Sequence, residues 1–516
     1  MKKIYLKLLN VCAAVLLITA QTACSDYFDQ EPQGQWLQGE NAGGSYQVDV
    51  FSIYGRMKGW AITGGIPAIN VHSIRSEDVE KGSSLNDGTD VMNMYDNFNY
   101  NAADGNLSGY YTDNYAPIHT ANTILSDMAD AVAAGTTLTP DELQVKGEAH
   151  FFRAFLYFNL VRAFGEVPLI DFKVTDAAQT NIPKSSAAEI YALIDADLAE
   201  AEELLPIRWE NKFVGRATWG AARSLHAKTY MMRNDWQNML TAATDVINSG
   251  LYDLNTPFNQ IFREIGENCS ESILEFQCTS TAAQPASTEI GSQYAEVQGV
   301  RNQGDWDLGW GWNAPTEVLA AAFEEGDPRK DETLLYFKKP SDSTRVDYNP
   351  VNTPYGETPI AEEVMCRYFN KKVYTDPAMR LQFTKHGFWM NIRIIRYPEI
   401  LLIAAEAANE LGQANTALDY LEQVRARARK LATDPSALPR ITTTSQSELR
   451  EAIRHERRIE LAVEWDRFYD LVRWGVAEQV LHAAGKTGYQ ARHALLPLPQ
   501  SEIDKSNGVL VQNPNY

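Results

Sequence analysis

Apolar residues recur at helical spacing over much of this chain. Val145, Ala149, Phe152, Leu156 and Leu160 fall at i+3/i+4 intervals, the period of one buried helix face. Thr139-Pro-Asp-Glu142 supplies an N-cap, a first-turn proline and a capping-box glutamate for its start. Gly165 and Pro168 supply its stop. Ser186…Glu189 and Ser445…Glu448 repeat the capping-box pattern ahead of IYALIDADLAEAEELL and LREAIRHERRIELAVEW. Residues 218–250 and 398–429 each hold two amphipathic arms, joined at Asn234-Asp235 and around Gly412. Their helix–turn–helix form matches a degenerate tetratricopeptide unit of about 34 residues. Such a unit cannot bury its apolar face alone, so several must stack. The pattern predicts a mainly α fold, with helical repeats from 110–250 and 390–480.

Two long stretches leave this period. Residues 40–115 are rich in Gly, Asn, Asp and aromatics, and 255–390 carry Pro/Gly punctuation with one strand expected at Ile273–Cys278. Irregular excursions of this length in a folded protein are usually functional, and recognition by loops on a rigid scaffold is the ordinary arrangement. Within the second, GDWDLGWGWNAP (304–315) sets Trp306, Trp310 and Trp312 among glycines and aspartates. It follows neither the helix nor the strand period, so its indoles are lids on the protein's own core or platforms for something else.

The chain has 516 residues and a net charge of −21, which disfavours nucleic acid and anionic headgroups. The charge is three units more negative once Lys2, Lys3 and Lys7 leave with the first 23 residues. MKKIYLKLLN followed by the short apolar VCAAVLLITA reads as an export signal, residues 1–23. Cys24 then stands where a lipoprotein carries its acyl chains, although Gln21 occupies a position usually Leu, Val or Ile. The other reading is plain cleavage after Ala23 and release. Cys269, Cys278 and Cys366 remain, an odd number that is no disulfide framework; free buried thiols are expected, with a Cys269–Cys278 bridge the alternative.

Cys24-Ser-Asp-Tyr-Phe-Asp29, RAFLYFNLVRAFGEVPLI (153–170), NIRIIRYPEILLIAAEAANELG (391–412), RHERRIELAVEWDRFYDLVRWG (454–475) and LLPLPQSEIDKSNGVLVQNPNY (495–516) follow one another along the chain. In that order they resemble the SusD-like (SusD/RagB) nutrient-binding lipoproteins of the Bacteroidota outer membrane. Asn515 and Trp465 stand where that family usually has glycine. The resemblance implies one SusD-like domain over 24–516, with tetratricopeptide-like pairs packed against a loop-rich ligand half made by 40–115 and 255–390. It also implies a lipid-anchored, cell-surface protein that captures oligosaccharide or polysaccharide and delivers it to a SusC-type TonB-dependent transporter. A peptide-binding lipoprotein of the same architecture, of RagB type, is the alternative, and an unacylated tetratricopeptide scaffold is a third.

Under that reading Trp306, Trp310 and Trp312 offer one or two sugar platforms and one core plug, since the C–H face of a pyranose packs on an indole. Arg75, Asp78, Asp96 and Asn97 are groups suited to sugar hydroxyls, Tyr95 is a second platform, and Arg367 with Tyr368 is a weaker candidate. The dense charges Glu456, Arg457, Arg458, Glu460, Glu464, Asp466 and Arg467 read as structural salt bridges. No second histidine follows His455-Glu456 at metalloprotease spacing, and the eight histidines are scattered. Asp87, Asp90, Asp96 and Asp104 could attract calcium, but their spacing matches no EF-hand loop. With neither a GxSxG nucleophile nor a phosphate-cradling glycine loop, the expectation is a non-enzyme without cofactor or metal.

Overall fold

The computed structural model describes residues 44–84, 86–301, 306–336, 352–357 and 366–516. The signal segment, Cys24 and the first two residues of the tryptophan segment lie outside them. The principal helices are α1 (Gly44–Met57), α2 (Gly105–Ala133), α3 (Pro140–Phe164), α4 (Ala187–Leu204), α5 (Trp219–Met232), α6 (Trp236–Asn248), α7 (Tyr397–Glu410), α8 (Ala414–Arg429), α9 (Gln446–Glu460) and α10 (Arg467–Arg473). The expected pairs form as α5–α6 and α7–α8. In space each of α2 to α8 packs on the next, and α9 closes over α7 and α8. Because α6 packs directly on α7, the excursion between them leaves the helical stack and returns without interrupting it. This is a tetratricopeptide-like scaffold that is continuous in space and split in sequence.

Local chemistry explains the helix ends. Thr139 and Ser186 close reciprocal capping boxes with Glu142 and Glu189. The third expected box does not form: Ser445 caps nothing, and the Glu448 carboxylate accepts instead from Thr443 Oγ1 at 2.5 Å. Residues 40–115, read as a loop, hold α1, a short helix Ile66–His72 and the start of α2. Val50, Ile53 and Met57 already carry helical spacing there and are fully buried.

Among the described residues, six short strands make three antiparallel pairs. They are β1 (Val79–Gly82), β2 (Ser272–Phe276), β3 (Trp312–Pro315), β4 (Leu334–Tyr336), β5 (Tyr368–Asn370) and β6 (Ile392–Arg396), paired β1–β3, β2–β6 and β4–β5. The expected strand at 273–278 is β2, shifted by a residue or two. Cys269, Cys278 and Cys366 are free thiols, so the bridge alternative is not realised.

The charged segment 450–473 is structural, as its density suggested. Glu460 of α9 accepts from Arg427 of α8 at 2.5 Å, Arg396 of β6 at 3.0 Å and Arg329 at 3.1 Å. Glu271 meets Arg396 at 2.5 Å and Arg427 at 2.7 Å, while Glu456 takes Arg329 at 2.5 Å and Arg425 at 2.8 Å. These side chains are essentially solvent-free. The helix expected through Trp465 stops at Glu460, and Val463 and Trp465 take left-handed φ of 60° and 78°. Each such residue costs about 1–3 kcal/mol. The break lets Glu464 reach Arg396 at 2.7 Å and Lys372 at 2.5 Å, and Asp466 reach Lys228 at 2.6 Å.

Burial alone would push the Glu460 carboxyl up, but Arg427, Arg396, Arg329 and Lys372 hold it down at about 2. A depressed carboxyl stabilises the fold above its unfolded value of about 4.3 and loses that contribution as pH falls toward the folded value. Glu460→Gln, which strips the shared counter-charge from three buried guanidinium groups, is expected to cost about 3–5 kcal/mol. Urea unfolding followed by circular dichroism measures it, and the variant should also lose less stability than wild type between about pH 4.5 and 2.

Candidate functional site

The glycines of the tryptophan segment exist because one backbone lies against another. Leu308 and Gly309 N–H donate to the Val300 carbonyl at 2.8 and 2.9 Å, Trp310 N–H to Glu296 at 2.8 Å, and Gly311 N–H to Gly299 at 2.8 Å. A Cβ on Gly309 would sit 2.1 Å from the Glu296 carbonyl oxygen. Gly311 has φ +72°, and a Cβ there would lie 2.7 Å from that of Arg301. Ser83 N–H donates to the Gly311 carbonyl at 2.7 Å, and Trp312 opens β3 opposite Gly82 of β1.

On this mount the three indoles diverge. Trp306 is buried with Val300, Leu308, Phe369 and Tyr374. Trp310 is half-buried, with Trp312 edge-on at 5.5 Å and 73° on one side. On the other side stands Trp60, at 5.9 Å and 61°. Trp60 is 38% exposed and begins a π-helical turn, Trp60–Gly64, a form that recurs at functional sites. Its ring lies so close over Gly65 that a Cβ there would fall 2.2 Å from it.

Trp310, Trp312, Gly309, Asp87, Arg301, Asp307 and His386 line an open cleft of about 490 Å³. Arg301 pairs with Asp87 and donates to Ser83 Oγ at 2.7 Å. Against some desolvation, the Ser83 hydroxyl and the Arg301 guanidinium hold the Asp87 carboxyl below the usual range. Asp307 accepts from Lys385 at 3.0 Å, and His386 Nδ1 meets Glu296 at 2.9 Å. The cleft therefore pairs apolar ring surface with polar groups already oriented by neighbours, which suits a ligand with C–H faces and a hydroxyl rim.

Most of the polar residues expected at the site are elsewhere. Arg75 is fully buried, donates to the Val71 carbonyl at 2.8 and 3.0 Å and stacks over Phe468 at 4.0 Å. Asp78 is buried under Arg458 at 2.5 Å. Tyr95 is buried with its hydroxyl on Asp104, and Asp96 is held by Lys486 at 2.6 Å and the Lys81 N–H at 3.0 Å. Arg75, Asp78 and Asp96 tie the 72–96 segment to the C-terminal part of the chain, and Tyr95 ties it to the start of α2, so the polar density there serves packing. Asn97 is exposed but bonds Asn93 at 2.9 Å; Arg367 pairs with Glu317 at 2.7 Å, and Tyr368 bonds the same glutamate at 3.1 Å. None of these lines the cleft. Asp87, Asp96 and Asp104 are thus committed to Arg301, to lysine and to a helix cap. Among the described residues no cluster of His, Cys, Asp and Glu is arranged to hold a metal.

Trp60, Arg301, Asp307 and His386 were not foreseen. For Trp60 a signal existed: Gly59-Trp60…Gly64-Gly65 repeats the glycine-flanked tryptophan of the later segment.

Residues 271–516 match the SusD family model, and 40–231 match a second model described as starch-binding and associating with the outer membrane. A SusD-like protein, P2, of Formosa agariphila is 30% identical over 437 residues, covering 81% of this chain and 83% of its own. The chain belongs to the SusD family. Among solved SusD-like structures, a laminarin-binding protein superposes with a TM-score of 0.73 at 26% identity, over 92% of this chain and 99% of that one. Surface glycan-binding protein A of Bacteroides fluxus gives 0.72 at 25%, with the same coverage. No described helix of this SusD-like protein is long and apolar enough to cross a membrane.

The mount makes a structural prediction. Gly65→Ala should expel the Trp60 ring from its seat and break its contact with Trp310. Near-UV circular dichroism reads coupling among the three indoles, and the Gly65→Ala spectrum should match that of Trp60→Ala. A wild-type spectrum from Gly65→Ala would refute the contact.

Proposed function

We propose that this SusD-like protein is a surface glycan-binding lipoprotein, anchored through Cys24, whose cleft captures oligosaccharide for a SusC-type TonB-dependent transporter. The observation that carries the reading is the partly exposed Trp60–Trp310 pair, fixed on glycine mounts beside Trp312 and a rim of Asp87, Arg301, Asp307 and His386. Supporting it are a relative named for laminarin binding and a family model named for starch binding. The peptide alternative has no such support.

Ring geometry also narrows the sugar. The two partly exposed indoles, Trp60 and Trp310, are turned by 61° to one another, so a flat ribbon of residues cannot lie face-on against both. A chain that curves as it extends can present a different ring to each. Curved α-1,4- and β-1,3-glucans therefore suit the cleft better than straight β-1,4-glucans.

Calorimetric titration of the mature protein from Ser25 onward tests this with malto-, laminari- and cello-oligosaccharides. One curved class is expected to bind, and Trp310→Ala to weaken it about tenfold or more, about 1.4 kcal/mol. Trp306→Ala should instead lower stability by about 3–5 kcal/mol, as loss of a core aromatic does, while the folded fraction keeps its affinity. Equal affinity of wild type and Trp310→Ala would remove the platform reading.

The anchor has a separate readout. Fatty-acid labelling of cells should mark the wild-type chain and leave Cys24→Ala unlabelled; label on the variant would exclude acylation at that thiol.

A further inference from the structure

A second cavity, of about 250 Å³, opens beside α1 and shares no lining residue with the tryptophan cleft. Its walls are largely apolar: Phe51 from α1, Phe213 and Val214 from the loop before α5, Phe276 at the end of β2, and Ile290. The lining also carries Lys58, Lys212, Arg216, Gln277, Thr279 and Glu289. Lys58, just beyond the end of α1, is 92% buried in the sense that only 8% of it is exposed, and it lines this space.

Among the described residues, no acceptor takes a hydrogen bond from the Lys58 ammonium and no carboxylate lies within ion-pair distance of it. Desolvation lowers its pKa, and its ionisable neighbour is Cys278, a thiol that burial pushes up to about 12. Two other cations line the cavity: Lys212, which is exposed and lies 3.8 Å from Glu210, and Arg216, which is already spent. It is bidentate to Glu148 at 2.8 and 2.6 Å and stacked over Trp209 at 3.7 Å. Glu289, the carboxylate on the lining, is exposed.

The Lys58 side chain is largely withdrawn from bulk water, and its ammonium, open to the cavity, has no anionic partner in the protein. Glycine also marks this cavity. Gly55 lies inside α1, where glycine costs about 1 kcal/mol relative to alanine, and a Cβ built on it meets nothing within 4 Å. Both features leave room and charge where a self-sufficient fold would fill one and cancel the other. We propose that this cavity is a second binding site, for a compact carboxylate with a flat apolar body, an aryl carboxylate, whose anion pairs with Lys58. The volume lies just under the usual lower limit of about 300 Å³ for small-molecule sites, which limits the body to one or two rings.

The mature protein is titrated with 2-naphthoate and with the uncharged 2-naphthamide, by calorimetry. The acid should saturate one site, with the amide at least about tenfold weaker. Lys58→Met should weaken the acid by a similar factor and leave the amide unchanged, while Gly55→Phe should block both. Without ligand, Lys58→Met should melt at or above the wild-type temperature, because it removes an unpaired charge from a largely buried side chain; Lys58→Gln serves if the Met variant does not fold. Glycan titration of Lys58→Met should match wild type, so this site and the tryptophan cleft succeed or fail separately. Absence of saturable naphthoate binding at millimolar concentration, or equal binding by wild type and both Lys58 variants, overturns the proposal.

Discussion

The carboxylate of Glu460 is the point on which the two halves of this protein meet. It accepts from Arg427 on the repeat side and from Arg396 and Arg329 on the inserted side. Desolvating four such charges is expensive, and only complete mutual pairing offsets it. That requirement acts as a geometric specification. An apolar seam of similar area would tolerate sliding, whereas bidentate and shared guanidinium contacts permit one docking of the excursion on the helices. The left-handed residues Val463 and Trp465 are understandable in the same terms, because they turn the chain so that Glu464 and Asp466 reach their cations.

A second kind of constraint governs the cleft. Glycine at 309 and 311 and at 65 is demanded by close approach, of backbone to backbone in one case and of indole to backbone in the other. Charge pairing fixes the halves at the scale of the domain, and these contacts fix three rings at the scale of a ligand. The first makes the second worthwhile, since a rigid loop on a sliding support would still be misplaced.

How much of this was legible in the sequence follows from the range of the forces involved. Helix caps at Thr139 and Ser186, the paired arms at 218–250 and 398–429 and the strand near 273 are local and were readable. So was the structural nature of the charges around Glu456–Arg467, because their spacing on one short segment exceeds what solvation needs. Arg75, Asp78 and Tyr95 read as ligand groups from sequence because Phe468 and Arg458, which hold the first two, lie hundreds of positions away, while a tyrosine nine positions before Asp104 gives no sign of their bond. A loop rich in polar residues looks the same whether it meets a sugar or another helix. The stop at Glu460 failed for a related reason: long-range ion pairs outweighed helix propensity. Trp60 was within reach, since its glycine flanks are local, but its neighbour Trp310 is 250 positions away.

The rigidity of the indole mount bears on how such a cleft can bind at all. A hydrated sugar gives up water for contacts that are individually weak, so each ring has little free energy to spare. Ordering a loose tryptophan on binding would consume about 0.5–1.5 kcal/mol per side chain and cancel that gain. Here the ordering is done during folding, by backbone hydrogen bonds at 2.8–2.9 Å and by glycines that let strands of backbone touch. The same logic accounts for the rim: Asp87 and Arg301 hold each other, so neither must be immobilised by the ligand. An exposed ion pair of this kind contributes almost nothing to stability. Its value lies in presenting donors and an acceptor at fixed positions beside the rings, at a cost the folded scaffold has already met.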